Sequence, residues 1–134
     1  MIVVDTNILA YLVIPGDKTE QAEATLLKCR EWAAPFLWRS ELRNVLSLYI
    51  KTGKLSIEAA FQSISDAEAV VSGRTYHVDN LRVLELAFES GCTAYDCEFV
   101  CLSEKLNVPL VTSDKKLLAA FPGPAISMQA FLES

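Results

Sequence analysis

The stretch Ile2-Val3-Val4-Asp5-Thr6-Asn7 decides how the rest of the chain is read. Its β-branched run makes a short strand. The strand ends on a carboxylate, and the pattern from Thr6 to Val13 begins a helix at once. A strand that passes directly into a helix is the first half of a βαβ unit, whose strands lie parallel and whose helices cover the sheet. The acid at the junction then sits at the carboxyl end of its strand, where open α/β sheets bind ligands.

The same alternation continues along the chain. Pro15-Gly16-Asp17 makes a turn before a helix through Ala22 to Cys29, and Trp32 to Ala34 reads as a short strand. Leu37 to Lys51 is a strong helix stopped at Gly53, and Ser56 caps a second that reaches about Ala69. Arg74 to His77 is irregular. Asp79 caps a helix ending before Gly91, Thr93 opens another to about Leu106, and Pro109-Leu110-Val111-Thr112 gives a strand. Ser113-Asp114 starts a short helix through Leu118, which Pro122-Gly123-Pro124 breaks. Ala125 to Ser127 makes an edge strand, and a closing helix covers Gln129 to Leu132. The expected fold is α/β, a central parallel sheet of four or five strands flanked by helices on both faces, in one domain spanning residues 1–134.

Composition agrees with a folded chain. Of 134 residues 51% are apolar, only five are Gly and five Pro, and no repeat or low-complexity run interrupts them. The net charge of −5 argues against a broad basic nucleic-acid surface. It does not exclude a phosphodiester substrate, because cations bound among the acids would reverse the local sign. Met1-Ile2-Val3-Val4 lacks the basic start of a secretory signal and no apolar run approaches membrane-spanning length, so a cytoplasmic protein is expected. Cys29, Cys92, Cys97 and Cys101 lack CxxC spacing and read as free thiols. Cys97 and Cys101 stand one helical turn apart, but with His77 as the only histidine a soft-metal site is the poorer account and burial as small apolar side chains the better one.

The chemistry rests on four acids. Asp5 and Asp114 follow apolar strands, Glu41 falls between Leu37, Val45 and Leu48 within the apolar stripe of its helix, and Asp96 lies in a first helical turn beside Phe99 and Val100. Singly, Asp5 and Asp114 read equally as helix caps, Thr93 to Asp96 as a capping pair, and Glu41 as a rim position reaching water. Four acids aimed at one sheet edge are harder to explain that way. Two carboxylates about 4 Å apart repel by roughly 4 kcal/mol at an effective dielectric of about 20. One or two Mg²⁺ or Mn²⁺ ions would remove that repulsion, and a hard cation on oxygen ligands can activate water for hydrolysis.

Val4-Asp5-Thr6-Asn7, a helical Glu41, Thr93-Ala94-Tyr95-Asp96 and Val111-Thr112-Ser113-Asp114 together resemble the ordered signature of PIN-domain ribonucleases, and among them the VapC-type toxins of prokaryotic toxin–antitoxin pairs. No one motif is specific; the ordered set, spread over nearly the whole chain, is. The resemblance implies a parallel sheet flanked by helices, Mg²⁺ or Mn²⁺ binding, endonucleolytic RNA cleavage, a homodimer and a small antitoxin as partner. By position it makes Asp5, Glu41, Asp96 and Asp114 the metal-site acids, with Asn7 and Thr112 as polar supports. The family often has alanines where Cys97 and Cys101 stand, which leaves the redox behaviour of these thiols open.

Other residues are read more narrowly. Arg39 and Arg43, flanking Glu41, and Lys115 and Lys116, following Asp114, are candidates to contact RNA phosphates, against the alternative of solvated surface charge. Trp38, Tyr49 and Tyr95 can stack on bases, though aromatics at helical spacing are more often core. Glu98 reads either as an extension of the acidic site or, as its place about 200° from Asp96 on the helical wheel favours, as a solvated or interface residue. Asp5-Thr6-Asn7 with Thr112 and Asp114 also resembles, more faintly, the haloacid-dehalogenase-type phosphatases, but Asn7 stands where that chemistry places a second Asp. A weakly active binding module is the nonenzymatic alternative, with apolar surface on Leu46, Leu48, Tyr49, Ile57 and Phe61 to spare for an interface.

Overall fold

The computed structural model describes residues 1–134. In chain order the elements are β1 (Ile2–Val4), α1 (Thr6–Val13), α2 (Thr19–Lys28), β2 (Trp32–Pro35), α3 (Leu37–Lys51), α4 (Ile57–Val70), β3 (Thr75–Tyr76), α5 (Asn80–Ser90), α6 (Ala94–Leu106), β4 (Leu110–Val111), α7 (Lys115–Ala120), β5 (Ala125–Ile126) and α8 (Met128–Glu133). The five strands form one sheet in the order β3-β2-β1-β4-β5, and every pairing is parallel. β1 is central because all three of its residues are buried apolar side chains.

Alternation along β1 divides the core. Ile2 and Val4 face one layer, where they meet Leu9 of α1, Leu42 of α3, Ala67 of α4 and Phe131 of α8. Val3 faces the other, with Leu86 of α5, Phe99 of α6 and Leu117 of α7. Helices therefore cover both faces, as expected. The strand order reverses beside β1: β2 leaves to one side and β4 lies on the other. A crevice opens at the carboxyl ends of strands at such a switch point. Asp5 and Asp114 stand just past the ends of these two neighbouring strands.

Helix starts follow the capping residues read from the sequence: Ser56, Asp79 and Thr93 each accept the N–H three residues on, at 3.1, 2.9 and 3.1 Å. Two expectations need correction. The irregular stretch Arg74 to His77 contains an edge strand, whose Thr75 and Tyr76 pair with Ala34 and Pro35. Two residues are too few to show a period of two, so no alternation announces it. Along α3, Leu48 is 54% exposed, and the buried stripe runs through Trp38, Leu42 and Leu46. Glu41 lies at the margin of that stripe, half-buried, rather than inside it.

Candidate active site

Asp5, Glu41, Asp96 and Asp114 line one pocket of about 200 Å³ at the carboxyl edge of the sheet. They arrive on four separate segments: Asp5 caps α1, Asp114 caps α7, Asp96 lies in the first turn of α6, and Glu41 stands one turn into α3. None of the four makes a salt bridge.

Asp5 is the most enclosed. One oxygen accepts the Ile8 N–H at 3.1 Å and the other accepts the Thr112 hydroxyl. Thr112 is fully buried, and its hydroxyl in turn accepts the Asp114 N–H at 3.0 Å, which ties the ends of β1 and β4 together. Asp114 accepts the N–H groups of Lys116 and Leu117 at 2.8 and 3.2 Å. The cap reading and the site reading are thus compatible, since each carboxylate oxygen has two lone pairs and capping occupies only some of them.

Burial pushes the Asp5 carboxyl up to about 6, against the pull of its hydrogen bonds, with the charges of Asp114 and Glu41 adding to the rise. Glu41 is raised by burial and by Asp96, and Asp96 by burial and by Asp114. Lys116 is the one cation that works against this, drawing Asp96 down. The acids are therefore close enough to repel one another. They do not draw in to a ready-made cage: no three acid, imidazole or thiol side chains stand where one ion would be held by all of them.

Two residues not expected from the sequence belong to the pocket. Thr6 donates its hydroxyl to Glu41 at 2.7 Å, the one hydrogen bond that orients this carboxylate. Asn44 follows Glu41 by three positions on α3 and so shares its face, a spacing that was there to be read. Asn7 also lines the pocket and is exposed.

Other candidates fall elsewhere. Arg39 and Arg43 do not line the acid pocket. Arg39 reaches Glu68 of α4 at 3.6 Å and lies over the Phe36 and Trp38 rings, while Arg43 borders an apolar groove with Leu46 and Phe61. A step of two residues turns a helix by about 200°, which sends both arginines to the side of α3 opposite Glu41. Lys115 and Lys116 are exposed beside the site. Trp38 is buried core, Tyr49 is half-buried and Tyr95 is 63% exposed. Glu98 is half-buried and raised by burial and by Glu41, so it is nearer the acids than its wheel position suggests. Burial pushes the Cys97 and Cys101 thiols up, away from the reactive thiolate.

The PIN domain family profile matches residues 2–122, nearly the whole chain and all four acids. The chain belongs to the PIN domain family. Among curated relatives it is 30% identical over 125 residues to Ribonuclease VapC3 of Pyrobaculum aerophilum, covering 90% of this chain and 95% of that one. It is 30% identical over 90 residues to Ribonuclease VapC1 of Mycobacterium tuberculosis, 67% of each chain. The PIN fold here is similar to the crystal structure of PAE2754 from Pyrobaculum aerophilum, with a TM-score of 0.78 and 25% identity over 98% of this chain and 86% of that one. It also follows FitAcB from Neisseria gonorrhoeae, with a TM-score of 0.71 and 17% identity over 96% of this chain and 99% of that one. At that identity the likeness concerns the fold alone.

Proposed function

We propose that this PIN domain is a metal-dependent endoribonuclease, a single domain of residues 1–134 that acts as the toxin of a toxin–antitoxin pair. One observation carries the proposal: four carboxylates from four segments line a single pocket and none makes a salt bridge. Likeness to relatives named as VapC ribonucleases points the same way.

The donor set fits Mg²⁺ or Mn²⁺. All four side chains are hard oxygen donors, the kind such an ion takes, with waters filling the positions that carboxylates leave. When bound, such a cation lowers the pKa of water and offsets the charge of a phosphate oxygen. The protein's part is to hold the acids. Thr112 and the Ile8 N–H fix Asp5, Thr6 fixes Glu41, and backbone N–H groups of α7 fix Asp114. Lys115 and Lys116 offer positive charge at the mouth, which a strand of RNA needs in a chain of net charge −5. Asn7, at the position where a haloacid-dehalogenase-type phosphatase carries its second Asp, and the lack of any lysine lining the pocket disfavour that reading.

Partners follow from the same reading: RNA, a small antitoxin and a second copy of the chain. The exposed Ile57 and Phe61 on α4 supply apolar surface for such contacts. No helix is long and apolar enough to cross a membrane, and the reading places the protein in the cytoplasm.

The test is the chemistry of the cut ends. Attack by water on phosphorus with breakage of the P–O3′ bond leaves a 5′-phosphate and a 3′-hydroxyl, and the ribose 2′-OH takes no part. Products ending in a 2′,3′-cyclic phosphate would overturn the mechanism. Thr6→Val removes a hydroxyl at nearly constant shape and leaves Glu41 half-buried without its donor. RNA cleavage by this variant is expected to fall about tenfold, as for the loss of an outer-shell ligand partner. Unchanged kinetics would mean that Glu41 needs no orientation.

A further inference from the structure

A second cavity, of about 320 Å³, opens beside the acid pocket and shares two of its walls, Asn7 and Val45. Tyr11 and Tyr49 form its aromatic sides, and Asp17 and Lys18 stand on its rim. The cavity is held in shape. The Tyr11 and Ser113 hydroxyls are 3.1 Å apart, beside Asp114. Thr19 locks the rim: its hydroxyl accepts the Gly16 N–H at 3.0 Å and donates to the Tyr11 carbonyl at 2.8 Å. Neither Asp17 nor Lys18 makes a salt bridge, so an acceptor and a donor are left free side by side.

We propose that this cavity holds the nucleobase of a nucleotide adjoining the scissile phosphate. The inference rests on the ribonuclease reading and adds a place where the substrate strand is read. A strand whose phosphate lies among the four acids runs into this cavity without a break, since Asn7 and Val45 border both. Flat apolar sides with aromatic rings suit a base, which stacks. A rim offering both a carboxylate and an ammonium suits the edge of an unpaired base, which carries acceptors and N–H donors. A phosphate fits this cavity worse than a base, because Asp17 on its rim repels it and the remaining lining is largely apolar or aromatic.

The experiment walks a single abasic nucleotide across the cleavage site of a short single-stranded RNA and compares the parent with an Asp17→Ala, Lys18→Ala double variant and with Tyr49→Leu. For the parent, one flanking abasic position lowers kcat/KM by roughly tenfold or more. On intact RNA each variant loses a similar factor, through KM rather than kcat, and loses nothing further on the abasic RNA. Indifference of the parent to every flanking abasic position overturns the proposal. So does a variant that loses as much on abasic RNA as on intact RNA, or one that cuts intact RNA like the parent. Asp17 and Lys18 are exposed, so the double variant is expected to melt with the parent and keeps the test clear of misfolding. A parent that cuts no RNA at all would instead bring down the ribonuclease reading itself.

Discussion

RNA cleavage by the Asp5→Asn variant is expected to fall about 10³-fold, while in chelator at pH 7.5 the variant melts several degrees above the parent. The two effects have one cause. Asp5 is 6% exposed and its carboxyl is pushed up to about 6, so at pH 7.5 the folded protein holds an ionised group in a place that disfavours the charge. Asparagine keeps the shape and can still accept the Ile8 N–H, but it carries no charge to strain against Asp114 and Glu41. Part of the ionisation cost is recovered, about 1–2 kcal/mol after allowing for a poorer contact with Thr112. For a chain of this length that is roughly 3–8 °C in melting temperature.

The loss of activity follows from the same subtraction. A cation in the pocket contributes several kcal/mol of charge stabilisation in the transition state, and every 1.4 kcal/mol removed costs about tenfold in rate. Added Mg²⁺ should accordingly raise the melting temperature of the parent more than that of the variant. Kinetics and thermal melting with and without EDTA decide the matter. A variant that is both inactive and less stable than the parent would mark Asp5 as a structural cap and nothing more.

How far the site could be read from the chain depends on how local its causes are. The capping of α4, α5 and α6 by Ser56, Asp79 and Thr93 is a matter of one side chain and an N–H three residues away, and it stands where the residues indicate. Asp5 and Asp114 are placed by the strand ends they follow, so the parallel order brings them together once β1 and β4 pair. The two-residue β3 exists because Ala34 and Phe36 donate to Arg74 and Tyr76 carbonyls, a relation between distant segments that leaves no pattern along either. Arg39 and Arg43 mislead for a different reason. Closeness to Glu41 along the chain is not closeness on a helix, and the packing of α3 against α4 turns them to Glu68 and the apolar groove. Thr6 was hidden by its neighbours: its value lies in a contact across 35 residues to Glu41, which no local rule reports.

The pH response of the metal-free protein tests the electrostatics without any substrate. In chelator the melting temperature of the parent is expected to fall by roughly 5 °C between pH 5 and pH 7.5. Asp5 carries the sign. Its carboxyl moves from an ordinary 3.8 to about 6 in the folded state, so over that interval the folded protein keeps a proton that the unfolded chain has released. The stabilisation is complete below about pH 4 and is lost as pH rises through about 6. The full difference is about 3 kcal/mol, from a shift of roughly two units at 1.4 kcal/mol each, and about half of it lies above pH 5. Glu41, Asp96 and Glu98, all raised by burial, add in the same direction. Glu104, held down by Arg82, acts oppositely, but its contribution is lost only as pH falls below its ordinary 4.5, outside this window. Bound Mg²⁺ requires the carboxylates to be ionised, so its stabilisation grows with pH and should flatten or invert the slope. Asp5→Asn removes the largest single source of the slope and should melt with a clearly shallower dependence on pH over the same range, the remainder coming from Glu41, Asp96 and Glu98. A parent whose melting temperature rises from pH 5 to pH 7.5 in chelator, or a variant that keeps the parent's slope, would mean that the buried charge of Asp5 is not what the pocket is built to hold.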